Sequence, residues 1–353
     1  MQQSVTAGAK LEAAASPRID EAEKLRIQDD LERHYWKNIG KRILKDWRLY
    51  LMLLPLLLVF LFWRYMPLYE LLTAFKMPDT TSTVIERDFV GFQHFYNLMF
   101  GADSAGFWQA FRNTFLLSFY GMLFGFPLPI IIALFLNEIK SNACRSVIQV
   151  AIYLPKFVSV VVITTLVHML LSGGSAFSEP GILARALVSL GWVPEQNAQI
   201  GMMYAPQYFR AIYQVSGIWE TAGYGSIVYF AAIIGISPTN YEAARIDGAS
   251  KMAQIKYVVL PGITATITIM LILRVGELLT VGYEKVLLLY NSYTYSTADV
   301  VSTYVFQRAG IQQGAETNQS LASAADMINA VTSMLLVMGA NKISRKASDT
   351  SLF

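Results

Sequence analysis

Six stretches of this chain are apolar and nearly free of charge over lengths that can cross a bilayer: residues 48–67, 109–137, 146–172, 210–236, 259–284 and 319–341. A hydrocarbon core about 30 Å thick is crossed by about 20 helical residues. Lipid offers a backbone no hydrogen-bond partners, so apolar runs of this length satisfy their own amides as helices. The pattern predicts an all-α, polytopic membrane protein with six transmembrane helices. Composition agrees: 15% of the residues are charged, against about 25% in soluble domains. The first and the last two runs are the least clean, with Arg64 at the end of the first, Arg274 and Glu277 in the fifth and Asp326 in the sixth. Charges near helix ends snorkel to the interface, and deeper ones commonly face a protein cavity.

Basic residues set the orientation. Ten Lys and Arg lie in the first 49 residues, and residues 138–145 hold Lys140 and Arg145. The loop 237–258 holds Arg245, Lys251 and Lys256, and the tail holds Lys342, Arg345 and Lys346. The alternate loops are poorer for their length: Lys76 and Arg87, then Arg185, then Lys285 and Arg308. The positive-inside rule puts both termini in the cytoplasm, as an even number of crossings also requires. The expected division is a cytoplasmic segment over 1–47, a six-helix membrane domain over 48–341 and a cytoplasmic tail over 342–353. The first segment lacks the apolar core of a signal peptide. Within it, residues 19–45 space their apolar positions as an amphipathic helix does, suited to lipid headgroups or to a regulatory contact.

Several functions are excluded or left without support. Cys144 is the only cysteine and His34, His94 and His168 are scattered, so neither a disulfide framework nor a structural zinc site is expected. A net charge of +3 gives no footprint for nucleic acid. A Gly-x-x-x-x-Gly-Lys-Ser/Thr phosphate loop is absent from the sequence, so the chain has no evident means of holding ATP, and no cofactor is expected. Active transport would draw its energy from a partner.

The loop SPTNYEAARIDGASKMAQIKYVVLPG, Ser237 to Gly262, is polar yet too ordered for a slack connector. Ser237 can cap a helix with Pro238 in its first turn, running to Asp247. Gly248 fits the left-handed residue that stops a helix, and Ser250 can cap a second helix that re-enters the membrane near Leu260 and Pro261. The first helix carries small Ala243 and Ala244 beside Glu242, a face that a partner can approach closely.

The run Glu242-Ala243-Ala244, then Asp247-Gly248-Ala249, then Leu260-Pro261 resembles the EAA loop of permease subunits in binding-protein-dependent ABC importers, with Val258 where that family usually has Ile. PLYELLTAFK (67–76), VGFQHFYNLM (90–99) and WQAFRNTFLLS (108–118) are similar to carbohydrate permeases, and residues 281–310 resemble a maltose-type subgroup handling oligosaccharides or complex glycans. The resemblance covers most of the chain after Arg48. It implies a type I importer fold, with two permease subunits, two ATP-binding subunits, an extracytoplasmic sugar-binding protein and a sugar substrate. It further implies that the EAA hairpin sits in a cleft on the ATPase, with Glu242 offering charge, the alanines close packing and Gly248 the bend. None of these residues would be catalytic.

Sugars are held by aromatic faces and a few polar groups. The fourth span offers Trp219, Glu220, Tyr224 and Tyr229 among small residues, Gly217 included. By the resemblance, Trp219 and Tyr224 stand where the maltose permease has a Trp and a Tyr lining its sugar site, and Gly217 where it has an Asn. The alternative for these aromatics is packing or an interfacial belt. Arg274 and Glu277 share a helix face, as do Asp326 and Asn329; each pair is either structural or a hydrogen-bonding contribution to a hydroxyl-rich or acidic sugar. Lys156, after Pro155, is a gate residue or a snorkelling one, and His168 reads as a packed histidine. Rival readings are an ABC permease for a polyol or glycerol phosphate, and a stand-alone secondary transporter. The latter would carry an internal repeat and ion-coupling carboxylates at broken helices, and neither is evident in the sequence.

Overall fold

Residues 45–78, 84–172, 180–310 and 318–347 are described by a computed structural model. Among them the chain is helical apart from turns, loops and one isolated β-bridge between Lys76 and Phe89. Residues 19–44 of the amphipathic segment lie outside the described residues. The chain divides into two compact units, Met1–Tyr69 and Glu70–Phe353.

In the first unit, α1 (Trp47–Val59) continues into a π-helical turn, Phe60–Tyr65, which carries Arg64. The second unit begins inside the 3-10 stretch Met66–Phe75. Then come α2 (Gln93–Phe100), α3 (Ser104–Gly125), α4 (Pro127–Glu138), α5 (Asn142–Tyr153), α6 (Val160–Ser172), α7 (Ile182–Ser189), α8 (Glu195–Ile200) and α9 (Pro206–Ile234). They are followed by α10 (Pro238–Ile246), α11 (Lys251–Gly262), α12 (Thr264–Gly276), α13 (Tyr283–Leu289), α14 (Tyr295–Ala298), α15 (Val301–Arg308) and α16 (Gln319–Ala347).

Among the described residues, three helical runs are long and apolar enough to cross a membrane unbroken: Trp47–Phe75, Ser104–Glu138 and Gln319–Lys342. Three more are bent pairs, α5 with its following turn against α6 by 98°, α9 against α10 by 71°, and α11 against α12 by 63°. With each bent pair taken as one crossing, the segments number six, in the order the hydropathy predicts.

The bends are where the apolar runs mislead. The run 146–172 reads as one rod, but the chain passes from α5 into a 3-10 turn at Leu154–Phe157 and then to an extended Val158. Pro155 has no N–H to continue an α-helix. The run 259–284 also fails to make one helix. Pro261 and Gly262 mark the bend before α12, Glu277 already leaves helical geometry, and Tyr283 starts the separate α13.

Helix α9 organises the second unit. It packs along α4 and also touches α3 and α5. Small residues permit this closeness, since apolar lipid leaves van der Waals fit as the main attraction between helices. A Cβ at Gly223 would land on the Ile152 carbonyl of α5, and one at Gly225 would sit 3.4 Å from Pro129 of α4. Near the far end of α9, Tyr229 and Ile233 join Ala133, Val259 and Ile263 in a buried cluster.

The segment between α12 and α16 is bolted to the bundle through buried polar groups. Fully buried Asn113 of α3 donates to the carbonyls of Ser296 (3.1 Å) and Asp299 (2.9 Å) and accepts from Arg210 Nη2 (3.0 Å). The Val301 amide donates to Thr114 Oγ1 at 2.8 Å, Thr297 donates to the Pro206 carbonyl at 2.8 Å, and Asn291 donates to the Met203 carbonyl at 2.8 Å. Each bond satisfies a group that would otherwise be left bare in a dry interior.

Candidate functional site

Where α3, α4, α9 and α12 would crowd one another, missing side chains leave a cavity of about 490 Å³. Gly121 and Gly125 on α3 face Gly217 and Gly225 on α9 across it. A Cβ at Gly121 would stand 3.3 Å from Gln214 Oε1 and 3.4 Å from Arg274 Nη2, and one at Gly217 would stand 3.5 Å from Lys285 Nζ. Gly121 thus keeps room for Gln214 to reach inward, while a Cβ at Gly217 would be in ordinary contact with Lys285.

The helical repeat selects which α9 side chains line the space. Tyr213, Gly217, Thr221, Gly225 and Tyr229 recur every four residues and all line it, with Gln214 and Glu220 beside them. Each i, i+4 step shifts by only about 40°, so neighbouring rungs are adjacent and the ladder winds slowly across the side of α9 that meets the cavity. Its aromatic ends and small, hydroxyl-bearing middle suit a ring-shaped, hydroxylated ligand.

Three ion pairs lie at this space. Lys285 Nζ donates to Glu220 Oε2 at 3.0 Å, with side chains only 12% and 17% exposed. Lys156, from the turn that breaks the third crossing, brings its Nζ to 4.0 Å from Glu220 Oε1. Arg274 Nη1 donates to Glu277 Oε2 at 3.1 Å, with both side chains more open, 45% and 63% exposed. The two cations and two carboxylates of the lining balance, and Lys156, outside the lining, adds one positive charge beside Glu220.

Of the residues the sequence singles out, Glu220, Tyr229, Arg274 and Glu277 line the cavity. Trp219 and Tyr224 lie outside that lining; both are exposed, and the Tyr224 ring meets Phe157 edge-on at 5.9 Å. They fall off the i, i+4 ladder, which is why five residues of helix carry them away from it. Asn329 on α16 donates to the Leu279 carbonyl at 3.0 Å, away from the cavity lining. His168 is held by its ring nitrogen on the Leu288 carbonyl at 3.2 Å. Sequence reasoning missed Tyr213, Gln214 and Lys285. The ladder from Tyr213 to Tyr229 was a readable signal for the first; no local pattern announces that Lys285 reaches a glutamate 65 positions earlier. Among the described residues no group of three His, Cys, Asp or Glu is placed to hold a metal ion.

The second feature is the hairpin between α10 and α11. Pro238 occupies the first turn of α10, and Gly248 takes φ +75°. The Gly248 amide donates to the Arg245 carbonyl at 3.1 Å and the Ala249 amide to the Ala244 carbonyl at 2.9 Å. That pair of bonds is the Schellman termination, which needs a left-handed residue at this point. Ser250 Oγ accepts from the Ala253 amide at 3.3 Å, starting α11. The expected cap at Ser237 does not form; its hydroxyl bonds that of Thr239 instead. Glu242, Ala243 and Asp247 are exposed on the hairpin, and Ala244 and Ala249 are half-buried. Lys251 holds Glu138 of α4 at 2.8 Å, tying the hairpin to the end of the second crossing. Leu260 and Pro261 end α11 where Gly262 packs against Ile236.

A protein family described as binding-protein-dependent transport system inner membrane component matches residues 125–284, which hold α4, α9, α12 and the hairpin. Protein LplB of Bacillus subtilis (strain 168) is 34% identical over 309 residues, covering 88% of this chain and 92% of the relative. The polygalacturonan/rhamnogalacturonan transport system permease protein YteP of the same organism is 31% identical over 317 residues, covering 90% and 94%. Among solved structures, a chain of a bacterial ABC transporter involved in the import of the acidic polysaccharide alginate is 39% identical with a TM-score of 0.75, over 88% of this chain and 99% of that one. A chain of a bacterial alginate ABC transporter in complex with alginate pentasaccharide-bound periplasmic protein is also 39% identical, with a TM-score of 0.76 and the same coverage.

Proposed function

This chain belongs to the inner-membrane permease components of binding-protein-dependent ABC importers, and from that premise we propose that it carries an acidic oligosaccharide, rich in uronic acid residues, into the cytoplasm. It has the type I importer permease fold. It is a transport component of the inner membrane, not an enzyme; ATP is hydrolysed by a separate subunit, and a second permease and an extracytoplasmic binding protein complete the machine.

The observation that carries the cargo reading is the charge cluster at the glycine-walled cavity: Lys285 and Arg274 line it against Glu220 and Glu277, and Lys156, outside the lining but 4.0 Å from Glu220, adds one further cation. A uronate carboxylate supplies the missing charge, and Tyr213 and Tyr229 offer ring faces. The importer described as taking up the acidic polysaccharide alginate, and YteP, named for polygalacturonan/rhamnogalacturonan transport, support the same choice over a polyol or a neutral sugar.

The exposed hairpin is the ATPase contact in this account. Glu242 provides a charge-assisted bond, Ala243 and Ala244 allow close approach, and the turn at Asp247, Gly248 and Ala249 sets the angle. Leu260 and Pro261 pass the movement into the bent fifth crossing. Both termini and the hairpin lie on the cytoplasmic side by the distribution of basic residues.

The test is uptake by the assembled complex in liposomes. Alginate pentasaccharide should stimulate ATP hydrolysis and accumulate inside, and its carboxyl-reduced, uncharged counterpart should do so poorly. Equal transport of the two would sink the acidic-cargo reading.

A further inference from the structure

Burying an ammonium group is costly unless an anion and further hydrogen bonds replace its water. Lys285 meets this condition through Glu220, which reaches it from α9 across the cavity wall. The geometry is more particular than a pair. Glu220 Oε2 accepts from Lys285 at 3.0 Å while Oε1 stands 4.0 Å from Lys156, so the carboxylate lies between two ammonium groups from two other elements. A carboxylate entering the cavity would be drawn to that same place. Gly217 lies beside it, where an added Cβ would stand in ordinary contact, 3.5 Å from Lys285 Nζ. Lys285 has a second support in the Tyr213 ring, with its Nζ 5.7 Å from the centroid, which can hold the ammonium while its anion changes.

We propose that Glu220 is an internal counter-ion that occupies the cargo-carboxylate position in the empty cavity, and that a uronate carboxylate of the cargo displaces it from Lys285 and Lys156. This rests on the acidic-oligosaccharide reading above. The exchange does two things. The lysines stay neutralised when no cargo is present, so the empty cavity is not left with unpaired charge in a dry setting. Binding is also weakened to an exchange of one carboxylate for another, which leaves the cargo able to depart, as passage through any pore or carrier requires. A neutral sugar has no anion to offer and leaves the Glu220–Lys285 pair closed, which is discrimination by an unfavourable alternative.

The experiment uses the complete complex, this permease with its partner permease and ATPase, in lipid nanodiscs without the binding protein. Fluorescent alginate pentasaccharide and its carboxyl-reduced derivative are titrated onto it. Wild type should bind the acidic probe more tightly. Glu220→Gln, close in shape but uncharged, should tighten acidic binding about tenfold and leave the neutral probe unchanged. Lys285→Gln should remove most acidic binding and spare neutral binding. If Glu220→Gln does not assemble, Glu220→Asp shortens the arm and should tighten acidic binding in the same direction by less. Acidic binding that is unchanged or weaker in the assembled Glu220 variant, in a wild type that does prefer the acidic probe, overturns the counter-ion role and leaves the cargo reading standing. A wild type that does not distinguish the two probes overturns the cargo reading, and this proposal with it.

Discussion

Gly248 allows the shape of the cytoplasmic hairpin to be perturbed without disturbing its packing. The residue holds φ +75°, and a Cβ built on it would meet nothing within 4 Å. The cost of a side chain there is therefore backbone cost, about 1–2 kcal/mol for an L-residue in left-handed geometry, lowest for Asn and highest for β-branched Val. Escape from that geometry would break the bonds from the Gly248 and Ala249 amides to the Arg245 and Ala244 carbonyls. If only the observed hairpin docks on the ATPase, the apparent Kd rises as the docking-competent fraction falls. A cost of about 1–2 kcal/mol corresponds to a factor of about 5–30. The assay is a titration of purified ATPase subunit onto the permease pair in nanodiscs, with Gly248, Asn, Ala and Val compared. Affinity should fall in that order, with Gly248→Ala weaker than wild type by about 5–30-fold and Gly248→Val weaker still. Equal affinity across the series, or Val tighter than Asn, would refute the reasoning from backbone geometry.

The remaining predictions probe packing, pairing and topology. Gly223→Ala drives a Cβ into the Ile152 carbonyl; such overpacking costs about 1–3 kcal/mol, and should appear as a lower unfolding temperature, with Gly339→Ala, whose Cβ would meet nothing within 4 Å, as the unperturbed control. The Arg274–Glu277 pair is half-open, so its stabilising value is at most about 1 kcal/mol; single Ala variants should assemble almost normally and lose acidic-sugar uptake, and a loss of assembly in the singles that the double variant recovers would assign the pair a structural role instead. Exposed Cys144 lies in the first turn of α5, just after the second crossing. A membrane-impermeant maleimide should label it only from the cytoplasmic face, and labelling only from outside would invert the proposed topology.

Much of the architecture is legible in the sequence because lipid imposes a simple rule, one apolar run per crossing; three of the six runs reappear as unbroken helices and three as bent pairs. The hairpin is legible for a different reason. Pro238, Gly248 and Ser250 act locally, each through the backbone of its own few residues, so their spacing alone describes the turn. Ser237 is the exception, because its hydroxyl has a competing partner two residues on in Thr239. The bend at Pro155 is hidden by the apolar residues on both sides of it, which satisfy a hydropathy count whether or not the helix continues. The cavity is the least legible part. Trp219 and Tyr224 draw attention by chemical type, but the ladder of Tyr213, Gly217, Thr221, Gly225 and Tyr229 decides which face of α9 is lined up with it. Lys285 is brought to Glu220 by the return of the chain after α12, a tertiary event with no local trace.

The central claim is that this chain is half of an ATP-driven pathway for acidic oligosaccharides and moves nothing alone. The most direct measurement is accumulation of radiolabelled alginate pentasaccharide in liposomes containing either this chain alone or the full assembly of both permeases, ATPase and binding protein. The account predicts no uptake by the chain alone, even under a proton or sodium gradient, and accumulation above the external concentration by the assembly only when ATP is supplied. Gradient-driven uptake by the chain alone, without ATP, would contradict it.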